Sequence, residues 1–265
     1  MKKGFKLVLF INSRESSFMP AKKYSHVTKS VLDKLKQVST PTITTQLMSN
    51  YGLNNVSLRR VLPIDTSLGR FAGPAFTLRY VPLREDLHSQ QYLDHPKNQM
   101  TPIIEKIPAG AVMVIDANAH NDVGMLGGNL LMRLKVRGIE AAVTDGGMRD
   151  IPEIRTLGMP VCSTAFAVPP SFSKLMLVEN QCVITCGGVP IFPGDIIVGD
   201  GEGTVAIPAT LAKEVAENGI KQDHIEGWVN RKLAKGASLP GLYPPSDKVR
   251  AEYEKWVEEG EPDEI

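Results

Sequence analysis

Short apolar runs alternate with helical patterns through the middle of this chain, and that alternation leaves few folds open. Ala111-Val112-Met113-Val114-Ile115-Asp116 is almost wholly apolar and of strand length, the mark of a strand covered on both faces. Ala141-Ala142-Val143 reads as a second, buried strand and Pro160-Val161-Cys162-Ser163 as a third. Between them, Gly127 to Gly138 carries Leu130, Leu131 and Leu134 at helical spacing and ends on glycine. A further helix starts at Asp150, with Asp as cap and Pro152 in its first turn. Strand, loop, helix, strand, helix, strand predicts an α/β layered domain.

The flanks add helices and a hairpin. Val27 to Val38 and Pro41 to Asn50 read as a helix pair, the second capped by Thr40 and stopped at Gly52. Phe71 to Tyr80 contains a strand entered through a Gly73-Pro74 turn, and Leu83 to Met100 reads as a loop or short lid helix. Asp195 to Gly199 and Thr204 to Pro208 predict a β-hairpin, whose turn accounts for Asp200 and Glu202 without catalysis. Two helices, Ala209 to Asn218 and His224 to Ala234, precede a proline-rich stretch and an acidic helical tail. This divides the chain into a flexible extension over 1–26, a domain over 27–236 and a C-terminal extension over 237–265.

Composition excludes several classes of function. Thirty basic against 29 acidic residues leave a net charge of +1, so no global field recruits nucleic acid or an anionic membrane. No run approaches the ~20 apolar residues needed to cross a bilayer, and Lys6 interrupts the apolar N-terminal patch, arguing against a secretory leader. Cys162, Cys182 and Cys186 form neither a disulfide framework nor a zinc pattern and fit reduced thiols in a cytoplasmic protein. The five histidines lack the spacing of a helical metal site.

Chemistry concentrates in Thr144-Asp145-Gly146-Gly147-Met148-Arg149-Asp150. Gly146-Gly147 is expected to supply a tight turn, leaving Arg149 and Asp150 at a strand-to-helix junction. A guanidinium matches a carboxylate at two points, and an Asp carboxylate is a hard oxygen ligand for Mg²⁺ or Mn²⁺. Together they could hold a 2-oxo acid chelated to a metal. An isolated pair would more simply be a helix cap and a surface ion pair. The glycine-led helix start at Gly127-Gly128-Asn129-Leu130 shifts that balance, because first-turn amides lack intrahelical partners and attract anions.

Taken together, Gly73-Pro74-Ala75-Phe76-Thr77, the Gly127 to Gly138 helix, Val143 to Asp150 and Pro193 to Asp200 resemble the RraA-like family. That family contains the class II 4-hydroxy-4-methyl-2-oxoglutarate aldolases and the regulator of ribonuclease E activity, and the resemblance covers roughly Ser39 to Gly236. It implies a layered α/β/β sandwich with flanking helices and a homotrimer or homohexamer. It further implies Asp150 as metal ligand, Arg149 as clamp for the pyruvate carboxylate, and Gly128, Asn129 and Leu130 as the substrate-binding helix start. Glu226 is the matching candidate for a carboxylate supplied by a neighbouring subunit. The implied reaction is metal-dependent cleavage of a 4-hydroxy-2-oxo acid to pyruvate, with oxaloacetate decarboxylation as a side activity. The alternative is a non-catalytic trimeric regulator of ribonuclease activity; a quinone-precursor methyltransferase ranks last for want of a nucleotide fingerprint. One position departs from the family: Gly128 stands where the aldolases carry an acid for proton transfer, with Asp116, His120 and Asp122 as nearby substitutes.

Overall fold

The computed structural model describes residues 27–86 and 100–262. The expected extension over 1–26 and most of the expected loop or lid over 83–100 lie outside these residues.

Twelve strands and seven α-helices follow one another along the described residues. Helices α1 (Lys29–Leu35) and α2 (Thr40–Tyr51) come first, then β1 (Leu62–Pro63), β2 (Phe71–Pro82) and the short α3 (Met100–Ile104). The centre is β3 (Val112–Asp116), α4 (Gly128–Val136), β4 (Ala141–Thr144), β5 (Gly147–Met148), α5 (Ile151–Leu157), β6 (Val161–Ser163) and β7 (Ala165–Phe166). Strands β8 (Leu175–Asn180), β9 (Ile184–Cys186), β10 (Val189–Ile191), β11 (Ile196–Gly199) and β12 (Thr204–Ile207) precede α6 (Ala212–Ala234) and α7 (Asp247–Glu258).

Strands β2, β3, β4 and β6 pair in parallel and form the heart of an eight-stranded sheet. On its other edge β2 pairs antiparallel with β11 near its start and with β8 near its end. The register explains why Gly73-Pro74 lies inside β2 instead of forming the expected entry turn. Ala75 donates its N–H to Asp195 on the β11 side, so the neighbouring residue faces the β3 side, where pairing begins only at Ala75 with Val112. The N–H that Pro74 lacks therefore falls where no ladder partner exists.

Alternate side chains of β3 enter different cores, as period-2 geometry requires. Met113 and Ile115 join Leu131, Leu134, Ile154 and Leu157 of α4 and α5 on one face. Val112 and Val114 join Val143, Cys162, Ile184, Cys186 and Ile191 on the other, where the β9–β10 hairpin forms a second β layer. The fold is thus the α/β/β sandwich expected, with α1, α2 and the first half of α6 packed against β11 and β12. Helix α4 ends at Gly138 in a left-handed conformation (φ 75°), with Ile139 N–H bonded to Leu134 C=O and Gly138 N–H to Lys135 C=O.

Two boundary expectations are corrected by packing. The two helices expected over Ala209 to Asn218 and His224 to Ala234 are one 23-residue helix, Ala212–Ala234, that runs on through Gly219, where a Cβ would meet Val38 Cγ1 at 2.6 Å. This glycine lets α6 lie close against the end of α1. Ser39, not Thr40, caps α2 by accepting the Thr42 N–H. Thr40 instead gives its N–H and hydroxyl to Asp200, which places that carboxylate in a structural role, as the hairpin turn predicts. Helix α7 closes the described chain, its Val249 and Trp256 packed with Trp228 and Val229 of α6. No helix among the described residues is long and apolar enough to cross a membrane.

Candidate functional site

Arg149 and Asp150 meet the start of α4 in space. The Asp150 carboxylate accepts the Gly128 N–H at 2.9 Å, and Arg149 Nε lies 3.8 Å from the same Asp150 oxygen. Asp150 precedes α5 but does not cap it, contrary to the sequence expectation. It sits in the left-handed region (φ 61°, ψ 44°) with no side-chain bond to its own helix, and its carboxylate turns to α4 instead. A non-glycine residue held there costs on the order of 1 kcal/mol and persists only where its surroundings fix it.

Glycines make the approach possible. A Cβ at Gly127 would lie 2.5 Å from Asp150 Oδ2 and 3.1 Å from Arg149 Nε; one at Gly124 would lie 2.8 Å from Arg149 Cβ. Gly146 and Gly147 serve the same end and not the tight turn expected of them. Neither has a positive φ, and Gly147 is a strand residue of β5. A Cβ at Gly146 would strike Ala117 Cβ at 2.6 Å, and one at Gly147 would strike the Val123 carbonyl at 2.7 Å. The 117–126 loop thereby presses on the motif and delivers Gly127.

The amides of Asn129 and Leu130 follow Gly128 in the first turn of α4 and have no acceptor among the described residues. With Arg149 and Asp150 about two-fifths exposed, the arrangement is an open mouth: a guanidinium, two unpaired amides and a carboxylate with one oxygen uncommitted. Such donors take an anion's carboxylate, and the free Asp oxygen suits a hard cation. Among the described residues no cluster of three or more His, Cys, Asp or Glu could cage a metal. A cation held by one carboxylate, with substrate and water completing its shell, matches how Mg²⁺ is usually bound.

The other candidate residues go elsewhere. Asp116 accepts the amides of Asn118 and Thr185, and Asp122 pairs with Lys174 and lies 3.6 Å from His120. Glu226 sits on α6, accepting from Gln222, and lines a separate groove with Gln46 and Arg250. Its neighbours Asp223 and His224 are structural: Asp223 accepts from Ser39 and Thr42, and His224 bonds Tyr253. Sequence reading overlooked Glu153. A Cβ at Gly128 would stand 3.5 Å from Glu153 Cβ, so this side chain borders the helix start. Its place in the first turn of α5, directly after Asp150, was the available signal.

Asp145 lies behind the site at the floor of a cleft of about 700 Å³ shared with Arg59, Arg60, Asp116 and Thr185. Burial pushes its carboxyl up to about 6, against the pull of the Ala117 and Gly187 amides and with Asp116 nearby adding to the rise. The folded protein therefore binds this proton more tightly than the unfolded chain. Asp145 contributes stability below about pH 4 that is lost as pH rises toward 6, at most ~3 kcal/mol. Urea midpoints of Asp145→Asn at pH 4.5 and 7 are expected to differ less than those of the parent; an equal or larger difference would contradict this.

An α/β/β sandwich thus carries an Arg-Asp pair folded back onto a glycine-led helix start. Residues 28–206 match the Aldolase/RraA family, and the chain belongs to it. Protein DlpA of Legionella pneumophila is 29% identical over 182 residues, 69% of this chain and 28% of DlpA. A 4-hydroxy-4-methyl-2-oxoglutarate aldolase of Thermus thermophilus is 27% identical over 106 residues, 40% of this chain and 64% of that protein. The chain thus spans less than two thirds of the length of either relative. Among solved structures, Streptomyces coelicolor RraAS2, described as an unusual member of the RNase ES inhibitor RraA protein family, superposes with TM-score 0.69 at 27% identity. That match covers 78% of this chain and 98% of RraAS2.

Proposed function

We propose that this chain is a divalent-metal-dependent lyase that cleaves a 4-hydroxy-2-oxo acid, such as 4-hydroxy-4-methyl-2-oxoglutarate, to pyruvate and a carbonyl fragment. The observation that carries the reading is the convergence of Arg149, Asp150 and the Gly128 amide on one helix tip. Arg149 and the amides of Asn129 and Leu130 hold the 2-oxo acid carboxylate, and Asp150 is the protein ligand of Mg²⁺ or Mn²⁺. The cation, when bound, draws electron density toward the 2-keto oxygen and so favours breaking the C3–C4 bond. Oxaloacetate offers the same carboxylate and keto group to these residues, so its decarboxylation is the expected side activity.

Phe166, Val168 and Phe172 are 56, 89 and 63% exposed on a segment bonded to the Arg149 side of the fold through Ala167 to Met148 and Gly124 to Pro169. Exposed apolar side chains so close to the site support a subunit interface there, as the homotrimer or homohexamer implied by the family resemblance would need. Glu226, remote within this chain, would serve the site only across a subunit boundary. The decisive experiment strips metal with chelator, restores Mg²⁺ or Mn²⁺, and follows pyruvate release from oxaloacetate and a panel of 4-hydroxy-2-oxo acids. Release is expected to vanish with chelation and return with metal. A metal-loaded parent inert on every substrate overturns the lyase reading in favour of a non-catalytic regulator, the reading that the missing side chain at Gly128 favours.

A further inference from the structure

The cleft of about 700 Å³ that holds Asp145 is lined by charges of both signs that do not pair with one another. Arg59 and Arg60 are exposed, and neither guanidinium has an ion pair or hydrogen bond among the described residues. Asp116 and Asp145 are held from the protein side. Asp116 accepts the Asn118 and Thr185 amides, one on each oxygen, and Asp145 accepts those of Ala117 and Gly187 in the same way. The lone pairs of each carboxylate outnumber these donors, so both can accept more. Asn118 and Asn121 add exposed side-chain amides, which both give and accept. None of Arg149, Asp150 and residues 127–130 lines this cleft.

Its walls are built from backbone that few residues adopt. Of the six non-glycine residues with positive φ among the described residues, Arg60, Asn118 and Ala119 line the cleft (φ 62, 52 and 56°). Such conformations persist only where the surroundings fix them, and they gather at ligand clamps. Gly188 (φ 76°) leaves room for a cation: a Cβ there would stand 2.6 Å from Arg59 Cζ, so the guanidinium lies across bare backbone. Arg59 N–H bonds the Gly187 carbonyl, and Gly187 N–H bonds Asp145. One residue thus ties the cationic wall to the acidic floor.

We propose that this cleft is a second binding site, for a small hydroxylated anion such as a sugar acid or sugar phosphate. Its anionic head meets Arg59 and Arg60, which match a carboxylate or phosphate by parallel bonds, and its hydroxyls bond Asp116, Asp145 and the two asparagines. Hydroxyls both give and accept, as a lining of acids and amides requires. An amino acid suits the floor less well. Burial pushes the Asp145 carboxyl up to about 6, so the floor resists the second full charge that an ammonium would seek beside Asp116. The site needs no metal and stands apart from the lyase reading.

Calorimetric titration of the full chain in EDTA at pH 7 tests it, with gluconate and glucose 6-phosphate as probes that separate the two anionic heads. Hexanoate carries only the charge and sorbitol only the hydroxyls. At least one of the two probes is expected to bind ~10-fold or more tightly than either control, since both halves of the lining contribute. Arg59→Gln and Arg60→Asn should each weaken that binding about 10- to 100-fold, the weight of a charge-assisted contact, with circular dichroism like the parent's. Asparagine suits the left-handed backbone at position 60. Arg149→Ala should bind as the parent does. Loss of binding in Arg149→Ala, with parental binding in Arg59→Gln and Arg60→Asn, would put the anion at the helix tip and overturn the second site while leaving the lyase reading intact. Hexanoate or sorbitol bound as tightly as the probes would also overturn it, because the cleft would then read only one half of the molecule. A parent that binds neither probe, yet releases pyruvate with Mg²⁺, refutes the second site alone.

Discussion

Asp150→Asn is expected to fold as the parent does and to lose all response to Mg²⁺ or Mn²⁺. Asparagine tolerates the left-handed conformation at φ 61° and keeps an oxygen for the Gly128 amide, so the local structure has little reason to change. What disappears is the negative charge that a hard cation needs. Metal-dependent pyruvate release should fall by at least ~10³-fold, to the rate of metal ion in buffer, if the charge on the cation supplies several kcal/mol of stabilisation to the breaking bond. Asp150→Ala should match it in activity and add a stability loss of about 1–2 kcal/mol, because alanine pays for the left-handed backbone without repaying it in hydrogen bonds. Arg149→Ala tests the other half of the grip and should raise KM for 2-oxo acids about 10- to 100-fold, the weight of a charge-assisted bidentate contact. Activity and metal response like the parent's in both Asp150 variants would remove this carboxylate from the metal centre.

Gly127→Ala should damage the site while sparing the fold. Its backbone is extended (φ −120°, ψ 175°), a conformation open to any residue. The added methyl would nevertheless fall 2.5 Å from Asp150 Oδ2 and 3.1 Å from Arg149 Nε. Both are ends of side chains that can swing aside, so the stability change should stay below ~1 kcal/mol, as for partly exposed sites generally. The displaced groups, however, no longer converge. A misplacement near 1 Å can cost ~10²-fold in rate, so turnover should fall by roughly that factor with an unchanged urea midpoint. Full activity in this variant would show that the convergence seen at the helix tip is not what the reaction uses.

The parts of this fold that could be read in the amino acids were those governed by one dominant rule. Ala111 to Asp116 announced a doubly covered strand because nearly every residue in it is apolar, and β3 indeed feeds cores on both faces. The Gly127 to Gly138 segment gave its helix because leucine spacing and a terminal glycine agreed. Glycine was the residue whose meaning could not be read locally. Gly146 and Gly147 suggest a turn and a helix is expected to stop just before Gly219, yet each of the three is small for the sake of a neighbour distant in sequence: Ala117, Val123 and Val38. Spacing does not reveal such neighbours. That Arg149 and Asp150 would lie beside the start of α4 was legible from residue type, although the partner of Asp150 was misjudged. Its carboxylate was expected to cap the helix it begins and is turned to another by a backbone that few residues adopt. Glu153 was invisible until Gly128 was placed beside it.

Strand β2 has a consequence for how the molecule comes apart. Phe76, Leu78 and Tyr80 enter the core beneath α4 and α5, Phe71 and Ala75 the core beneath the β9–β10 hairpin, and Ala72 the core beneath α1, α2 and α6. Its two edges also carry the backbone ladders to β3, β8 and β11. None of these layers can detach and leave the others intact, because each would strip side chains or hydrogen bonds from the same twelve-residue spine. Melting of the sandwich is therefore expected as a single cooperative event, with the layers on both sides of β2 lost together.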